Sequence, residues 1–360
     1  MNKEKGITPQ PEKREEKKKL SEERYDSKLF KQAYKVAKEA REIDRKRKKK
    51  QNILRVTLFT TIPFVILLLV ILIVSLLPDR LEYIEAGKSS NRFEGVIDLE
   101  VQEPIVEDIS ISSEVSAQSV FVYDPKSGAI LYEKESLKER PVASLTKILS
   151  AIVVLENYNL KNIVTVDLEN IPKDLDWQLN LKEGDRITVE NILKAMLISS
   201  YNDVAYIVAN AYPHGGYDAF IKAMNSKAKR LRMYHSNFSN PAGIDDELNF
   251  SSAQDIAKLV TVARNYDYIS ELVRLSSDGI YWDSQGELES KKIYTTNQLV
   301  GSSSYVKGFK TGTTKLSGGC FVGYFIYPNE QELVTVILGS EDRFSDTTIL
   351  ERVARKKLLK

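Results

Sequence analysis

Arg140-Pro-Val-Ala-Ser-Leu-Thr-Lys147 leads into a series of apolar residues at helical spacing, namely Ile148, Ala151, Ile152 and Leu155. The spacing predicts a helix that begins near Ser144. Ser144 and Lys147 are three residues apart, so they would be neighbours on one face of that helix. A hydroxyl at the helix start also lies at the positive end of the helix dipole, which favours a developing alkoxide.

Ser144 needs a partner that removes its proton, because a serine hydroxyl is a weak nucleophile on its own. The sequence contains two histidines, His214 in a turn-like segment and His235 in a polar stretch. An imidazole base is therefore hard to supply, and Lys147 is the alternative. A lysine acts as a base when burial or a nearby cation lowers its pKa, and Lys310 could be that cation.

The Ser-x-x-Lys spacing does not single out Ser144, because residues 226–229 and 304–307 repeat it. Two further motifs distinguish it. Ser200-Tyr-Asn202 follows an apolar helical stretch, and Lys310-Thr-Gly312 lies in a segment patterned as a strand. In this order, the three motifs are the signature set of penicillin-binding proteins and class A β-lactamases.

Over residues 116–350 the chain resembles the D-alanyl-D-alanine carboxypeptidases, low-molecular-weight penicillin-binding proteins of the serine β-lactamase-like family. The resemblance extends to longer segments: Arg140 to Lys147, Gly184-Asp-Arg-Ile-Thr-Val189, Ser200-Tyr-Asn-Asp-Val-Ala205, Asn240-Pro-Ala-Gly-Ile-Asp245, Thr296-Asn-Gln-Leu299 and Lys310-Thr-Gly-Thr313. It implies a serine peptidase that removes D-alanine from peptidoglycan stem peptides. It also implies no cofactor, and β-lactams as covalent inhibitors.

The resemblance implies the catalytic roles as well. Ser144 would attack the carbonyl between two D-alanines and form an acyl-enzyme, while Lys147 takes its proton. Ser200 would relay a proton to the leaving amine. The backbone N–H groups of Ser144 and Thr313 would form the oxyanion hole.

A second group of residues is implied to bind substrate. Asn202 would hold the substrate amide and the catalytic lysine. Lys310 and Thr311 would bind the terminal carboxylate, as a cation and a hydroxyl donor can. Gly312 would let substrate lie against the strand edge. Arg343 would help to hold the carboxylate, and a surface arginine without that role is the alternative.

Other functions on the same fold stay open. A serine β-lactamase is one, although class A enzymes use a Glu to activate the deacylating water and no Glu-x-x-Leu-Asn pattern follows Asn202. A membrane-anchored sensor of β-lactams or peptidoglycan, signalling to the N-terminal tail, is another. Transpeptidase or endopeptidase activity would differ in the acceptor or cross-link chosen.

The element pattern predicts an α/β architecture of the α+β kind, with an antiparallel sheet flanked by helices and a mostly helical subdomain. A hairpin is expected around residues 124–128, and another around 284–286. The remaining elements follow from periodicity: helices at 188–211, 217–232, 252–264 and 346–357, and strands at 305–313, 319–327 and 333–338. The first and last strands should meet in the sheet.

The N-terminal part has a different composition. Residues 1–52 hold 19 Lys and Arg against 10 Asp and Glu, a formal charge of +9, whereas the rest carries −7. Residues 56–77 follow without a charge and would span about 33 Å as a helix, close to the apolar thickness of a bilayer. A cleaved signal peptide is the alternative, but the apolar run exceeds the usual 7–15 residues.

These features predict a basic cytoplasmic tail at 1–52, a transmembrane helix at 53–78, a linker at 79–115 and the peptidase domain at 116–360. The run Arg-Lys-Arg-Lys-Lys-Lys at 45–50 places the N-terminus inside the cell and the catalytic domain outside. It suits anionic headgroups rather than nucleic acid. The single cysteine, Cys320, excludes an internal disulfide, and no Cys/His cluster has zinc spacing. We therefore expect no metal.

Overall fold

The computed structural model describes residues 114–358. The predicted tail at 1–52 and transmembrane helix at 53–78, with nearly all of the linker at 79–115, lie outside the described residues and stay predictions. Within the described range, none of the helices combines the length and apolar character needed to cross a bilayer.

Strands and helices alternate in groups along the described chain. In order they are β1 (Ser119–Tyr123), β2 (Ile130–Lys134), a 3-10 helix (Ala143–Leu145), α1 (Thr146–Asn157), β3 (Ile163–Thr165), β4 (Arg186–Thr188), α2 (Val189–Leu197), α3 (Asp203–Asn210), α4 (Gly216–Arg230), α5 (Ala253–Ala263), α6 (Asp267–Leu272), β5 (Ser277–Ser284), β6 (Glu287–Tyr294), β7 (Val306–Thr314), β8 (Gly318–Ile326), β9 (Glu332–Ser340) and α7 (Arg343–Leu358).

The larger sheet has five antiparallel strands in the order β2-β1-β9-β8-β7. The first strand pairs with the last, which confirms the prediction that the two meet. All of β1 is buried because helices cover both faces of the sheet. Val120 and Val122 pack with Leu350 of α7, whereas Phe121 and Tyr123 face the core that α5 shares.

The helical part is organised around α1, which contacts α2, α3, α4 and α5. Its side chains Ile148, Leu149 and Ile152 are fully buried. A second antiparallel sheet, in the order β3-β4-β5-β6, closes this part of the molecule. The β5–β6 hairpin was predicted from its turn. Strands β3 and β4 were not predicted, because each has only three residues, too few to show alternation of apolar and polar side chains.

The helical stretch predicted for 188–211 is two helices rather than one. Thr188 caps α2 by accepting a hydrogen bond from the Asn191 N–H, 3.3 Å away. Five residues separate α2 from α3, and within them Ser200 has a left-handed φ of +63°. A left-handed residue cannot continue a right-handed helix, so the chain turns there and presents Ser200.

A buried carboxylate fastens the start of the domain to its end. Asp346, in the first turn of α7, accepts hydrogen bonds from the Ser116 and Ala117 N–H groups at 3.0 and 2.9 Å. The Ser340 hydroxyl donates to the same carboxylate at 2.6 Å. The chain entering β1 and the end of β9 are therefore held by one side chain.

We predict that Asp346→Ala lowers the free energy of unfolding by about 3 kcal/mol, because it leaves two buried donors, the Ala117 N–H and the Ser340 hydroxyl, without their acceptor. Urea unfolding followed by tryptophan fluorescence measures this. The matched control is Glu341→Ala, which changes an exposed carboxylate nearby and should cost less than about 0.5 kcal/mol. Equal losses in the two variants would contradict the assignment.

Candidate active site

Ser144 lies in the 3-10 turn just before α1, half-buried, with Ala143 in a left-handed conformation at φ +48°. Two glycines permit this turn. A Cβ at Gly312 of β7 would stand 2.9 Å from the Ser144 nitrogen, and one at Gly243 would collide with the Ala143 carbonyl. Gly312 thus allows the strand to approach the nucleophile, which is a different reason from the substrate access that the resemblance implied.

Lys147 is fully buried one turn further along. Its Nζ lies 2.8 Å from Ser144 Oγ, 2.6 Å from Asn202 Oδ1 and 2.7 Å from the Ala242 carbonyl oxygen. The Asn202 amide is oriented by its Nδ2, which donates to the Asp176 carbonyl at 2.7 Å. The structure therefore brings Ser144, Lys147 and Asn202 together.

The three partners of the Lys147 amine differ in what they can do. The Asn202 amide oxygen and the Ala242 carbonyl can only accept, whereas the Ser144 hydroxyl can both donate and accept. A neutral amine has two N–H groups and one lone pair. With both N–H groups engaged, the lone pair faces Ser144, which is the arrangement that a base for this hydroxyl requires.

Burial lowers the pKa of Lys147 well below its ordinary value, and the positive charge of Lys310 lowers it further. The carboxylate of Asp203 acts in the opposite direction. Burial raises the pKa of Asp203 itself, and its oxygens accept the Leu179 and Asn180 N–H groups at 2.9 Å. Asp203 therefore fixes the loop that holds Asn202, as expected of a structural residue.

Lys310 and Ser200 face each other across the site. Lys310 is buried, and its Nζ donates to Ser200 Oγ at 2.8 Å and to the Thr311 carbonyl at 3.1 Å. Burial, with a contribution from the Arg343 charge, lowers the pKa of Lys310 to about 7. Ser200 is a non-glycine residue in left-handed backbone, a conformation that costs about 1 kcal/mol or more and is common at functional sites.

The remaining predicted residues lie in the second half of β7 and at the start of α7. The Thr311 hydroxyl pairs with the Thr296 hydroxyl at 2.5 Å. Arg343 donates to the Gly312 carbonyl at 2.6 Å and also to the exposed Thr313 hydroxyl. Arg343 thus supports the strand beside the nucleophile and adds a second positive charge there.

Three contributors were not among the predicted site residues. The Ala242 carbonyl binds Lys147, and Asn240 Oδ1 shapes that loop by accepting from the Gly243 N–H at 2.7 Å. Thr296 meets Thr311. All three lie in segments on which the family resemblance rests, but a backbone carbonyl has no sequence signal of its own. Within residues 114–358, no group of three or more His, Cys, Asp or Glu could hold a metal ion.

Comparison with known proteins assigns the family. A family model described as D-alanyl-D-alanine carboxypeptidase matches residues 105–342. The chain belongs to the D-alanyl-D-alanine carboxypeptidase family. It is therefore a serine peptidase by family. The family acts on the D-Ala-D-Ala peptides of peptidoglycan and binds β-lactams.

Individual members of the carboxypeptidase family show how far the similarity reaches. A D-alanyl-D-alanine endopeptidase of Escherichia coli is 30% identical over 246 residues, which are 66% of this chain and 76% of the relative. The crystal structure of the DD-transpeptidase of Streptomyces K15 has a TM-score of 0.64 at 26% identity, covering 67% of this chain and 98% of that one. Penicillin-binding protein D2 of Listeria monocytogenes, in its cefotaxime-bound form, has a TM-score of 0.58 at 26% identity, with coverage of 67% and 97%. The predicted α+β fold is thereby confirmed.

We predict a bell-shaped pH dependence of kcat/KM for D-alanine release. The rate should rise as pH passes the lowered pKa of Lys147, because only the neutral amine is a base. It should fall above about pH 7, where Lys310 loses the charge that would attract a carboxylate. Lys310→Arg should move the alkaline limb upwards, because a guanidinium stays charged.

The control for this profile is Lys315→Arg, the same exchange at an exposed lysine between β7 and β8, which should leave both limbs in place. A wild-type rate that continues to climb to pH 10 would show that the Lys310 charge is not needed.

Proposed function

We propose that this protein is a serine D-Ala-D-Ala carboxypeptidase that removes the terminal D-alanine of peptidoglycan stem peptides through an acyl-enzyme on Ser144. The observation that carries the proposal is the buried Lys147 amine, 2.8 Å from Ser144 Oγ. Burial beside Lys310 favours the neutral amine. Within residues 114–358, neither histidine makes a hydrogen bond to Ser144, and the Lys147 amine supplies the base that the hydroxyl needs.

The acylation step follows from the contacts. Ser144 Oγ attacks the carbonyl carbon between the two D-alanines, and its proton passes to Lys147 Nζ. The backbone N–H groups of Ser144 and Thr313 stabilise the oxyanion. When the C–N bond breaks, the proton held by Lys147 passes through the Ser200 hydroxyl to the leaving amine, which leaves Lys147 neutral again. Ser200 Oγ lies 2.8 Å from Lys310 Nζ. D-alanine departs and the ester on Ser144 remains.

Hydrolysis of that ester completes the cycle. Water attacks the acyl carbon while Lys147 accepts one of its protons, and Ser144 regains its hydroxyl proton as the C–O bond breaks. The products are the shortened peptide acid and the free enzyme. The same Lys147 amine therefore serves both halves of the reaction. It removes a proton from Ser144 in the first half and returns one to Ser144 in the second.

Positive charge along β7 favours a substrate that ends in a carboxylate. Lys310 and Thr311 lie in β7, and Arg343 binds the carbonyl of Gly312, the β7 residue next to Ser144. A terminal D-alanine offers its carboxylate one residue from the scissile carbonyl. Endopeptidase activity is the second candidate, because the Escherichia coli relative bears that name.

β-Lactams are the expected covalent inhibitors. They carry a reactive amide and a carboxylate, so they meet the same nucleophile and the same cations as the peptide. The cefotaxime-bound form of the Listeria protein supports this expectation for a related site. No cofactor takes part in the proposed mechanism.

The proposed location is the cell membrane. Residues 53–78 would anchor the protein as a single span, with the basic residues 1–52 inside and the catalytic domain outside. The uncharged run at 56–77 and the six basic residues at 45–50 support this topology. It would place the site beside the cell wall.

We predict that Ser144→Ala abolishes both D-alanine release and labelling by a fluorescent penicillin, because no other residue replaces the attacking oxygen. Mass spectrometry of peptidoglycan peptides measures the first and gel fluorescence the second. Ser226→Ala changes a serine with the same spacing to a lysine and should retain both.

Four results would contradict parts of this proposal. Unchanged D-alanine release by Ser144→Ala would show that the reaction does not pass through an acyl-enzyme on Ser144. A wild-type protein that cleaves only cross-linked peptides would be an endopeptidase. Hydrolysis of the penicilloyl adduct within about a second would indicate the β-lactamase alternative, and labelling with no peptide turnover would indicate the sensor.

Topology can be tested with introduced cysteines, because Cys320 is buried and gives little background. We predict that an impermeant maleimide labels Ser304→Cys, in the exposed β6–β7 connection, in intact spheroplasts. Ser21→Cys, in the tail, should be labelled only after lysis. Labelling of both cysteines without lysis would refute a topology with the N-terminus inside and the catalytic domain outside.

A further inference from the structure

Trp177 is held firmly at the edge of the active site although most of its side chain is exposed. Its exposed fraction is 60%, and its backbone is left-handed at φ +55°. The indole Nε1 donates to the Ser199 carbonyl at 2.5 Å, and the Trp177 carbonyl accepts the Asn202 N–H at 2.9 Å. An exposed ring fixed in strained backbone is arranged for contact with something other than its own core.

A second aromatic ring and a cation extend this surface. Tyr201 stacks with Trp177, with ring centroids 6.2 Å apart and an angle of 27° between the planes. The Lys291 amine of β6 lies 4.9 Å from the Tyr201 centroid. No carboxylate within residues 114–358 pairs with Lys291. We call Trp177, Tyr201 and Lys291 the aromatic shelf.

Ser199 fastens the parts of the shelf to one another. Its carbonyl receives the Trp177 indole, while its hydroxyl donates to the Tyr294 carbonyl at 2.7 Å and accepts the Tyr294 N–H at 3.1 Å. Tyr294 ends the strand that carries Lys291. The shelf is therefore set in place before any ligand arrives, which lowers the entropy cost of binding.

The shelf is continuous with the catalytic residues, because Trp177 binds the backbone of Asn202 and Asn202 binds Lys147. In the proposed reaction the departing D-alanine takes its carboxylate towards Lys310. The acyl part of the peptide then extends from the nucleophile in another direction, towards Asn202, to which the family resemblance assigns the substrate amide. Rings on that path would contact aliphatic groups, and an amine without an acidic partner would attract a carboxylate.

We propose that the aromatic shelf binds the residue that precedes the two D-alanines, through an aliphatic side arm that ends in a carboxylate. The arm lies along Trp177 and Tyr201, and its carboxylate pairs with Lys291. This subsite rests on the proposed peptidase function, and it makes the enzyme selective for stem peptides with an acidic side arm over those without one.

The test uses two synthetic peptides ending in D-Ala-D-Ala, identical except that the side arm of the preceding residue ends in a carboxylate or in its carboxamide. The wild-type protein should show a higher kcat/KM for the acid. In Lys291→Gln the ratio of acid to amide should fall by about tenfold, since one charge-assisted hydrogen bond is lost. Lys292→Gln is the matched control, because this neighbouring exposed lysine lies by Tyr294 instead, at 5.3 Å from its ring centroid. It should keep the wild-type ratio.

Trp177 variants separate contact with substrate from support of the loop. Trp177→Ala should raise KM for both peptides by about tenfold, because the apolar face is lost. Trp177→Phe keeps a ring but not the indole N–H, and should recover most of that loss. If the KM of Trp177→Phe is as high as that of Trp177→Ala, the role of Trp177 is to support the loop through its hydrogen bond with Ser199. The aromatic shelf would then not be a subsite.

The remaining outcomes are also decisive. The wild-type protein could release D-alanine from both peptides while Lys291→Gln leaves the acid-to-amide ratio of kcat/KM unchanged. That result would overturn the subsite but not the proposed function. An equal fall of the ratio in Lys292→Gln would show a diffuse charge effect and overturn the subsite as well. No release from either peptide by the wild-type protein would overturn both proposals.

Discussion

Burial of the Lys147 amine is the constraint on which the rest of the site depends. A charged ammonium without water is costly, so the folded protein favours the neutral form and supplies acceptors for its N–H groups. Those acceptors come from separate parts of the chain, the Asn202 amide and the Ala242 carbonyl. The amine can stay buried only if the helical part and the 240–244 loop are in place around α1. The same requirement directs the remaining lone pair to Ser144.

Strained backbone occurs at three positions where the chain must present these groups. Ala143, Trp177 and Ser200 are all left-handed. Ala143 precedes the nucleophile, Ser200 is itself a motif residue, and the Trp177 carbonyl accepts the Asn202 N–H. Each conformation costs free energy that glycine would save. Glycine at 200, however, would lack the hydroxyl that meets Lys310. The chain accepts a less stable backbone because the chemistry needs a side chain there, and the surrounding core offsets the cost.

The sequence was most informative where a pattern repeats. Apolar periodicity located helices α1, α4 and α5 and strands β7, β8 and β9. The three motifs indicated the residues that the structure brings together. Short elements such as β3 and β4 carry too few residues for a period. The Ala242 carbonyl could not be found from residue type, since every residue has one. The resemblance also did not indicate that Gly312 allows β7 to approach Ser144, because that contact depends on the fold. Its expected role in substrate access stays a prediction.

The pairing of β1 with β9 ties the beginning of the domain to its end. While a ribosome is still making the chain, the open edge of β1 has no partner, and β7 with Lys310 does not yet exist. Contacts this distant in sequence form late and slowly. An incomplete chain therefore contains Ser144 and Lys147 but cannot enclose them, so the reactive pair is assembled only once the last strand has been synthesised. Growing chains of this protein would carry the nucleophile without its activity.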